Sequence, residues 1–219
     1  MEPPAGHYFD PSPATPSAAG QVELSLPDLQ VLLITDRGVF SPKSIDSGTR
    51  YLLGEAAVPT GEERVLVDLG CGYGPIAVTL ARRAPWAEVW AVDVNERAVA
   101  LCARNADALG LANVRAVTPD QVPEGLVIDA IWSNPPIRVG KQALHTVLLA
   151  WLARLAPEGR AELVVQRHLG ADSLQRWLRE QGWPAERLGS RSGYRLLGVD
   201  RARPEAAADT PENGPEAGS

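Results

Sequence analysis

The sequence predicts an α/β fold in which a mostly parallel sheet carries a ligand site. A short apolar run at 65–69 leads directly into a Gly-rich turn at 70–74, and an apolar helical pattern begins at Ile76. Further apolar runs alternate with helical patterns as far as residue 181. Because strand, Gly-rich turn and helix make up the first unit of a nucleotide-binding α/β fold, the rest of the chain is expected to extend that unit.

Length and composition fit one well-packed domain with tails. The chain has 219 residues, of which 45% are hydrophobic. No apolar run reaches the ~18 residues of a membrane span, and the N-terminus does not combine a basic region with an apolar core. Cys71 and Cys102 form no C-x-x-C motif. We therefore expect a cytoplasmic protein with reduced thiols, no metal and no membrane partner.

The net charge of −6 and the sequence pI of about 5.2 argue against a broad basic surface for nucleic acid. Part of this acidity lies in the two ends of the chain. The folded part is therefore closer to neutral, which leaves room for a local basic patch.

The chain divides into three predicted parts. Residues 1–20 form a disordered Pro-rich arm, 21–200 a folded domain, and 201–219 a disordered acidic tail. The arm contains His7-Tyr8-Phe9, which is either a short docking motif or a group of aromatic residues without a function.

A small β-hairpin is predicted before the nucleotide-binding unit. Residues 21–40 contain two short strands joined by a turn at Pro27-Asp28. A loop follows, and a helix is expected at 47–55, capped by Asp46 or Ser47. The loop is a candidate wall of the ligand pocket, whereas the hairpin can equally serve to protect an edge of the sheet.

The Gly-rich turn indicates which ligand the site binds. Gly70, Gly72 and Gly74 are spaced G-x-G-x-G, and Pro75 occupies the position of the third glycine in a dinucleotide fingerprint. Proline has no N–H for a phosphate, and a buried carboxylate at Asp68 would repel a pyrophosphate. S-adenosylmethionine (SAM), which has a sulfonium and an ammonium but no phosphate, suits this loop better.

Asp93 supports the same interpretation, because it closes the second strand of the unit. An acid about 20 residues beyond the loop is where ribose hydroxyls are held. The alternative is a Gly-rich turn whose carboxylates only cap backbone groups and bind no ligand.

A third strand is predicted at 114–117, after a helix at 95–109. Asp120 and Gln121 lie just beyond the carboxyl end of this strand, at the ligand-binding edge of an open sheet. Asp120 is well placed to accept from an adenine amino group, although an ordinary polar turn remains the alternative.

A fourth strand, 127–132, runs into Ser133-Asn134-Pro135-Pro136-Ile137. Two successive prolines supply no backbone donors and stiffen the chain. The carbonyls of Asn134 and Pro135 and the side-chain oxygen of Asn134 can then converge on an –NH₂ group and orient its lone pair for methyl transfer. The alternative is a rigid turn, but the SAM-type loop favours the clamp.

The C-terminal part completes the predicted sheet. A helix at 141–155, a strand at 160–166 and a helix at 171–181 precede an antiparallel hairpin around Ser192-Gly193. Several basic residues either gather as a rim beside the pocket, able to hold a few phosphates, or stay scattered in solvent: Arg138, Lys141, Arg167, His168, Arg191 and Arg195.

From 31 to 199 the sequence resembles the class I methyltransferases with a methyltransferase small domain, and most of all the small-subunit ribosomal RNA guanine-N2 methyltransferases. The resemblance rests on five motifs and Asp93: Gly38-Val39-Phe40-Ser41-Pro42, Asp46-Ser47-Gly48-Thr49, the run from Val67 to Gly74, Ser133-Asn134-Pro135-Pro136, and Ser192-Gly193-Tyr194-Arg195. It implies a Rossmann-like fold with a seven-stranded, mostly parallel sheet, an antiparallel C-terminal hairpin, and a small N-terminal β-hairpin before it.

The resemblance also implies the site. The residues expected to bind SAM are Asp68, Gly70, Cys71, Gly72, Gly74, Asp93, Val94, Asp120, Gln121 and Asn134. The catalytic residues are expected to be Asn134, Pro135 and Pro136. The substrate-binding residues are expected to be Phe40, Ile137, Arg138 and Arg167. In the family, an aromatic residue that stacks on the target base follows Asn-Pro-Pro, but this chain has Ile137 there and lacks a second, degenerate copy of the domain.

The predicted function is SAM-dependent methylation of an amino nitrogen, and the first candidate acceptor is guanine N2 in ribosomal RNA or the small ribosomal subunit. One alternative is an N-methyltransferase for a protein amide or a small amino acceptor. The other is a SAM-binding module without catalysis. If the acceptor is a base, Tyr8 or Phe9 in the arm is a candidate lid that replaces the missing aromatic residue.

Overall fold

The computed structural model describes residues 16–136 and 140–201. Within these ranges the strands, in chain order, are β1 Gly20–Leu26, β2 Leu29–Thr35, β3 Val65–Leu69, β4 Glu88–Val92, β5 Val114–Val117, β6 Ile128–Ser133, β7 Leu155–Gln166, β8 Ala185–Arg191 and β9 Tyr194–Asp200. Strands β3 to β9 form a seven-stranded sheet in the order β5-β4-β3-β6-β7-β9-β8. The first five strands of this order run parallel, and β9 is antiparallel to both β7 and β8. The predicted fold class is confirmed.

The helices cover both faces of this sheet. They are α1 Ser47–Glu55, α2 Pro75–Arg83, α3 Glu96–Ala108, α4 Lys141–Leu152 and α5 Ala171–Glu180. One hydrophobic core lies under α1, α2 and α3, and the other under α4 and α5. Leu66 of β3 belongs to the first core and its neighbour Val67 to the second, as expected for a strand buried on both faces. Among the described residues, no helix has both the length and the apolar character needed to cross a membrane.

The N-terminal hairpin is a separate two-stranded sheet. Strands β1 and β2 pair antiparallel across a turn at Pro27-Asp28, as the sequence predicts. Buried and exposed residues alternate along both strands, so one face of the hairpin packs on the core beside α3.

Buried Asn105 of α3 ties this hairpin to the Gly-rich loop. Its side-chain oxygen accepts from the Ile34 amide at 2.7 Å, and its Nδ2 donates to the Ile34 carbonyl at 2.9 Å. The same Nδ2 donates to the carbonyl of Tyr73 at 2.8 Å. The side-chain amide of Asn105 therefore fixes the position of β2 relative to the Gly-rich loop.

Two predicted boundaries differ from the structure by three residues or more. Helix α4 ends at Leu152 and not at residue 155, and β7 begins at Leu155 and not at residue 160. The apolar pattern continues through Leu155, which is why it resembles helix. In the fold, the Ile128 amide donates to the Arg154 carbonyl at 2.9 Å and Leu155 pairs with Ile128 beside an irregularity in register, so strand pairing begins there.

Candidate active site

The site lies where the strand order of the sheet reverses. Strands β3 and β6 are neighbours and Leu69 pairs with Ser133, so the Gly-rich loop and Asn134 leave the same edge of the sheet side by side. The Ser133 hydroxyl donates to the Leu69 carbonyl at 2.6 Å and locks the two strand ends together. This edge is the usual ligand position in an open α/β sheet.

Two cavities open there. The polar cavity, of about 280 Å³, is lined by Phe40, Ser41, Asp46, Thr49, Gly70, Cys71, Gly72, Tyr73, Pro75, Ile76, Asn134, Pro135, Pro136, Gln166, Leu169 and Tyr194. The apolar cavity, of about 300 Å³, is lined by Leu69, Gly70, Val92, Asp93, Val94, Pro119, Pro135, Pro136, Leu144, Thr146, Val147, Leu148, Ala150 and Trp151. Gly70 and the Pro135-Pro136 pair belong to both linings. The two cavities therefore adjoin, as an elongated ligand with an apolar end and a charged end requires.

The Gly-rich loop offers no cluster of free amides to a phosphate. The amides of Gly70 and Cys71 both donate to the Val92 carbonyl, at 2.8 and 3.0 Å. The Gly72 amide donates to Asp93 Oδ2 at 2.9 Å, and the Gly74 amide to the Cys71 carbonyl at 2.9 Å. Since these four donors are already used, the loop is unsuited to a pyrophosphate and compatible with a cationic group.

Asp68 lies fully buried beneath this loop and lines neither cavity. Its Oδ2 accepts from the Ala77 amide at 2.9 Å, whereas Oδ1 has no hydrogen-bond partner among the described residues. Burial raises the pKa of Asp68 to about 8, against the effect of the Ala77 hydrogen bond. A buried carboxyl group with one unused oxygen fits a nearby ligand that donates hydrogen bonds or carries positive charge.

Asp93 lines the apolar cavity at the end of β4. Its Oδ2 accepts from Gly72 and its Oδ1 from the Asn95 amide, each at 2.9 Å. Burial raises its pKa, and these backbone hydrogen bonds oppose the rise. Each oxygen has a further lone pair, so the carboxylate can also accept from a pair of hydroxyl groups.

Gly74 has a packing role in this structure. It precedes α2 with φ of 94°, and a Cβ placed on it would lie 2.7 Å from the sulfur of Cys102 in α3. Only glycine allows both the backbone conformation and this close approach. Gly74 lines neither cavity, unlike Gly70 and Gly72.

Asn134 follows β6 and lines the polar cavity. Its Nδ2 donates to Asp46 Oδ2 at 2.9 Å and to Thr49 Oγ1 at 3.0 Å. Its Oδ1 receives no hydrogen bond from the described residues and is available to a donor in the cavity. The sequence predicts Asn134 as a site residue, but it does not predict that Asp46 and Thr49 hold its side chain. These two residues were noted only as a helix cap and as part of a family motif.

Three aromatic side chains border the polar cavity: Phe40, Tyr73 and Tyr194. Phe40 is 52% exposed, which is unusual for a phenylalanine, whereas Tyr73 is buried. Burial and the nearby charge of Asp46 raise the pKa of Tyr73 to about 12, while Arg50 opposes the rise. Tyr73 and Tyr194 were not among the predicted site residues, although both lie in quoted motifs.

Several other predicted residues lie off the cavities. Asp120 and Gln121 are exposed, and the Gln121 side chain accepts from the Thr118 amide at 3.0 Å, so only their neighbour Pro119 reaches the apolar cavity. Val94 does line that cavity. Arg167 is exposed beside the lining residue Gln166. The predictions for Ile137, Arg138 and His7-Tyr8-Phe9 concern residues outside the described ranges.

Two members of the predicted basic rim are paired with acids. Arg191 contacts Glu55 at 3.3 Å, and Arg195 contacts Asp172 at the same distance. The exposed residues Lys43, Arg50 and Arg167 have no ion-pair partner among the described residues, and each lies within two positions of a residue that lines the polar cavity.

A family model described as the methyltransferase small domain matches residues 30–197. The chain belongs to the methyltransferase small domain family. The predicted enzyme class, a SAM-dependent methyltransferase, and the predicted cofactor, SAM, are confirmed. The buried carboxyl of Asp68, the occupied loop amides and the carboxylate of Asp93 fit SAM and argue against a phosphate-bearing ligand.

Members of this family with a similar sequence come from several bacteria. The uncharacterized protein YbxB of Bacillus subtilis is 32% identical over 194 residues, which cover 87% of this chain and 96% of that protein. The ribosomal RNA small subunit methyltransferase C of Shewanella oneidensis is 34% identical over 160 residues, which cover 69% of this chain and 44% of that protein. This chain thus matches less than half the length of the latter enzyme.

A solved structure has the same fold. The T. thermophilus 16S rRNA N2 methyltransferase RsmC, in complex with AdoMet (SAM) and guanosine, superposes with a TM-score of 0.71 at 25% identity. The match covers 86% of this chain and 52% of that one. The two chains thus share a fold over most of this chain and about half of the other.

Proposed function

We propose that this protein transfers the methyl group of SAM to the exocyclic N2 of guanine in ribosomal RNA, in the cytoplasm. The observation that carries the proposal is the arrangement of Asn134, whose Nδ2 is held from behind and whose Oδ1 is free at the polar cavity. The names of the S. oneidensis and T. thermophilus relatives support guanine N2 of small-subunit RNA as the acceptor.

The two cavities suggest how the ligands divide the site. The apolar cavity suits the adenosine part of SAM, with Asp93 accepting from the ribose hydroxyls and Val94 beside the adenine. Gly70 and Gly72 would lie by the methionine part, near the buried Asp68. The rest of the polar cavity, around Asn134 and Phe40, is left for the acceptor base. In this assignment Pro135 and Pro136 separate the two ligands, since they line both cavities.

The residues of the polar cavity favour the transfer by orientation and charge. When bound, SAM supplies an activated methyl group on a sulfonium sulfur. Asn134 Oδ1 and the carbonyl of Pro135 accept from the two hydrogens of the target –NH₂ and turn its lone pair toward the methyl carbon. With SAM bound, its methyl group would pass to this nitrogen while the C–S electron pair stays on sulfur, and the nitrogen would then release a proton to water. The carbonyl dipoles offset the positive charge that develops on nitrogen.

Phe40 is proposed to stack on the acceptor base. It is exposed at the opening of the polar cavity, where a base would enter. Stacking of a base on an aromatic ring contributes about 1–3 kcal/mol. Phe40 would therefore supply the aromatic face that the family has after Asn-Pro-Pro and that Ile137 cannot provide.

Exposed cations close in sequence to the cavity residues also support an RNA acceptor. Lys43, Arg50 and Arg167 each lie within two positions of a residue that lines the polar cavity, and none has an ion-pair partner among the described residues. A few contacts to phosphates beside the target nucleotide would position the RNA without a broad basic surface.

The test uses labelled SAM with three acceptors in parallel: purified small ribosomal subunits, free ribosomal RNA and a total protein extract. Label in RNA, with N2-methylguanosine found by nucleoside analysis, is the expected result. Asn134→Ala should abolish transfer, whereas Gln30→Ala, which removes an exposed amide that lines neither cavity, should not change it. Label in protein alone would favour the amide-methylating alternative, and no label with SAM bound would favour a non-catalytic module.

A further inference from the structure

We infer that Asp46 is a positioning residue that fixes Asn134 with its oxygen toward the acceptor. The inference rests on the proposed function, in which Asn134 Oδ1 accepts from the target amine. Asp46 lies 88 positions before Asn134 in the chain and reaches it from the N-terminus of α1. Its role goes beyond capping that helix, because the same oxygen serves both tasks.

Both hydrogens of the Asn134 amide group have a partner. Nδ2 donates to Asp46 Oδ2 at 2.9 Å and to Thr49 Oγ1 at 3.0 Å. A primary amide nitrogen has two hydrogens to donate. The nitrogen end of the side chain is therefore fully used on the α1 side, and the oxygen end is the one left for the cavity.

The opposite orientation of the amide is excluded by charge. A flipped Asn134 would place Oδ1 at 2.9 Å from the carboxylate of Asp46, where two acceptors face each other without a hydrogen between them. Hydrogen bonds to ionised acceptors are also about twice as strong as those between neutral groups. Asp46 therefore selects between the two amide orientations, which differ little in shape.

Asp46 is itself rigidly held. Its Oδ2 accepts from the backbone amides of Gly48 at 2.8 Å and Thr49 at 3.2 Å. A Cβ on Gly48 would lie 2.6 Å from the ring of Tyr194 and 2.9 Å from Asp46 Oδ2, so the absence of a side chain there lets both residues approach. The carboxylate therefore has a defined position before any ligand arrives.

The charge of Asp46 also acts on the polar cavity. Asp46 lines this cavity. Burial is the largest cause of the raised pKa of both Tyr73 and Tyr194, and the negative charge of Asp46 adds to it. The same negative charge stabilises the positive charge that develops on the acceptor nitrogen during transfer. Orientation of Asn134 and charge stabilisation thus have one origin.

The decisive variant is Asp46→Asn, which keeps the shape and remains a good helix cap. Its amide oxygen can still cap α1 and accept from Asn134, but it carries no negative charge, so it selects the orientation of Asn134 less strongly and no longer offsets the charge that develops on the acceptor nitrogen. We expect kcat to fall about 10- to 100-fold, with the Kd of SAM within about twofold of wild type. The matched control is Asp129→Asn, which alters a carboxylate that accepts from the Arg64 and Val65 amides at the other end of β3, and it should leave kcat unchanged.

A second pair of variants tests the same bond if Asp46→Asn is poorly folded. Thr49→Val removes the other acceptor of Asn134 Nδ2 and should lower kcat several-fold, and Thr49→Ser should restore most of it because it retains the hydroxyl. A capping role alone would change thermal stability but give no such split between kcat and the Kd of SAM. If Asp46→Asn and Thr49→Val both had the kcat of wild type while Asn134→Ala was inactive, the positioning role of Asp46 would be overturned and the proposed function would stand. An active Asn134→Ala would overturn the proposed function as well.

Discussion

The backbone amide of Gly72 donates to Asp93 Oδ2 at 2.9 Å, so the residue that closes β4 fixes the Gly-rich loop that follows β3. The carboxylate of Asp93 therefore has two roles, because it shapes the Gly-rich loop and also lines the apolar cavity. Residues that combine a structural and a ligand-binding task should respond to substitution in ligand affinity and in stability together.

Asp93→Ala should weaken SAM binding and lower stability. Loss of hydrogen bonds to an ionised group costs about 1.5–3 kcal/mol each, so the Kd of SAM is expected to rise about 10- to 100-fold. Calorimetric titration with SAM measures this change. The matched control is Asp28→Asn, which weakens an ion pair with Arg83, and neither residue lines a cavity. An unchanged Kd in Asp93→Ala would contradict the assignment of the ribose end.

SAM affinity should fall as the pH is lowered through the titration of Asp93. Burial raises the pKa of Asp93, so its carboxyl protonates at a higher pH than an exposed one. The protonated form loses acceptor capacity toward hydroxyl groups. Titrations with SAM from about pH 8 down to pH 5 measure the trend. In Asp93→Asn the dependence should be flatter, and an equally steep curve in that variant would refute the assignment.

Asp68 should make the free protein less stable as the pH rises from about 4 to about 8. Its pKa is raised to about 8, above the usual value of an unfolded aspartate, so the folded state holds the proton over this window. The contribution of protonated Asp68 to the free energy of unfolding is complete below about pH 4 and is lost by the time the pH passes through the folded pKa. Between these limits the free energy of unfolding falls by up to about 1.4 kcal/mol per pH unit.

Chemical denaturation of wild type and Asp68→Asn at several pH values between these limits measures the effect. The slope should be smaller in the variant, although not zero, because burial also raises the pKa of Asp93 and Glu162. Identical slopes for the two proteins would mean that Asp68 does not hold a proton in the folded state.

Gly74→Ala should destabilise the fold for two separable reasons. The positive φ of 94° costs an alanine about 1–2 kcal/mol, and the new methyl group would lie 2.7 Å from Cys102 Sγ. Gly110→Ala is the control for the first cost alone, because its φ is 67° and no atom lies within 4 Å of its Cβ position. Urea unfolding of both variants should show the larger loss at Gly74.

The steric part can be isolated with Cys102. Adding Cys102→Ala to Gly74→Ala should restore part of the lost stability, so the double variant should lose less than the sum of the two single losses. Additive losses would show that the sulfur is not the group that the methyl meets.

Phe40→Ala should reduce methylation of RNA while leaving SAM binding unchanged. The loss of stacking, about 1–3 kcal/mol, predicts a fall in kcat/KM for RNA of about 5- to 150-fold, and Phe40→Tyr should retain most of the activity. Leu32→Ala is the matched control, since Leu32 is 54% exposed and lines neither cavity. Equal activity of Phe40→Ala and wild type would assign the stacking role to another residue.

What the sequence predicts well is what local patterns encode. The apolar run at 65–69, the Pro27-Asp28 turn and the helix at 47–55 each depend on near neighbours, and the structure has them where predicted. Asp93 and Asn134 line the two cavities, as expected for residues that follow strands whose carboxyl ends lie at the ligand edge. Topology alone therefore brings these residues together.

What the sequence does not predict depends on contacts between distant segments. The hydrogen bond between Asp46 and Asn134 joins residues 88 positions apart. The motif at 46–49 marks Asp46 as a helix cap, but it does not show which side chain Asp46 contacts. The same holds for Gly74, whose spacing fits a ligand loop. In the fold, the absence of a side chain at Gly74 allows the close approach of Cys102. At Asp120 the strand end was right, but the chain turns so that Pro119 and not the carboxylate faces the cavity.

The three hydrogen bonds of Asn105 imply that the minimal functional fragment of this enzyme includes the N-terminal hairpin. They join β2 to the carbonyl of Tyr73 inside the Gly-rich loop, across a buried side chain. A protein trimmed to start at β3 would keep every strand of the main sheet, yet would leave this amide without its partners on β2. The hairpin and the nucleotide-binding unit must therefore be transplanted, shortened or redesigned together if the loop is to keep its shape.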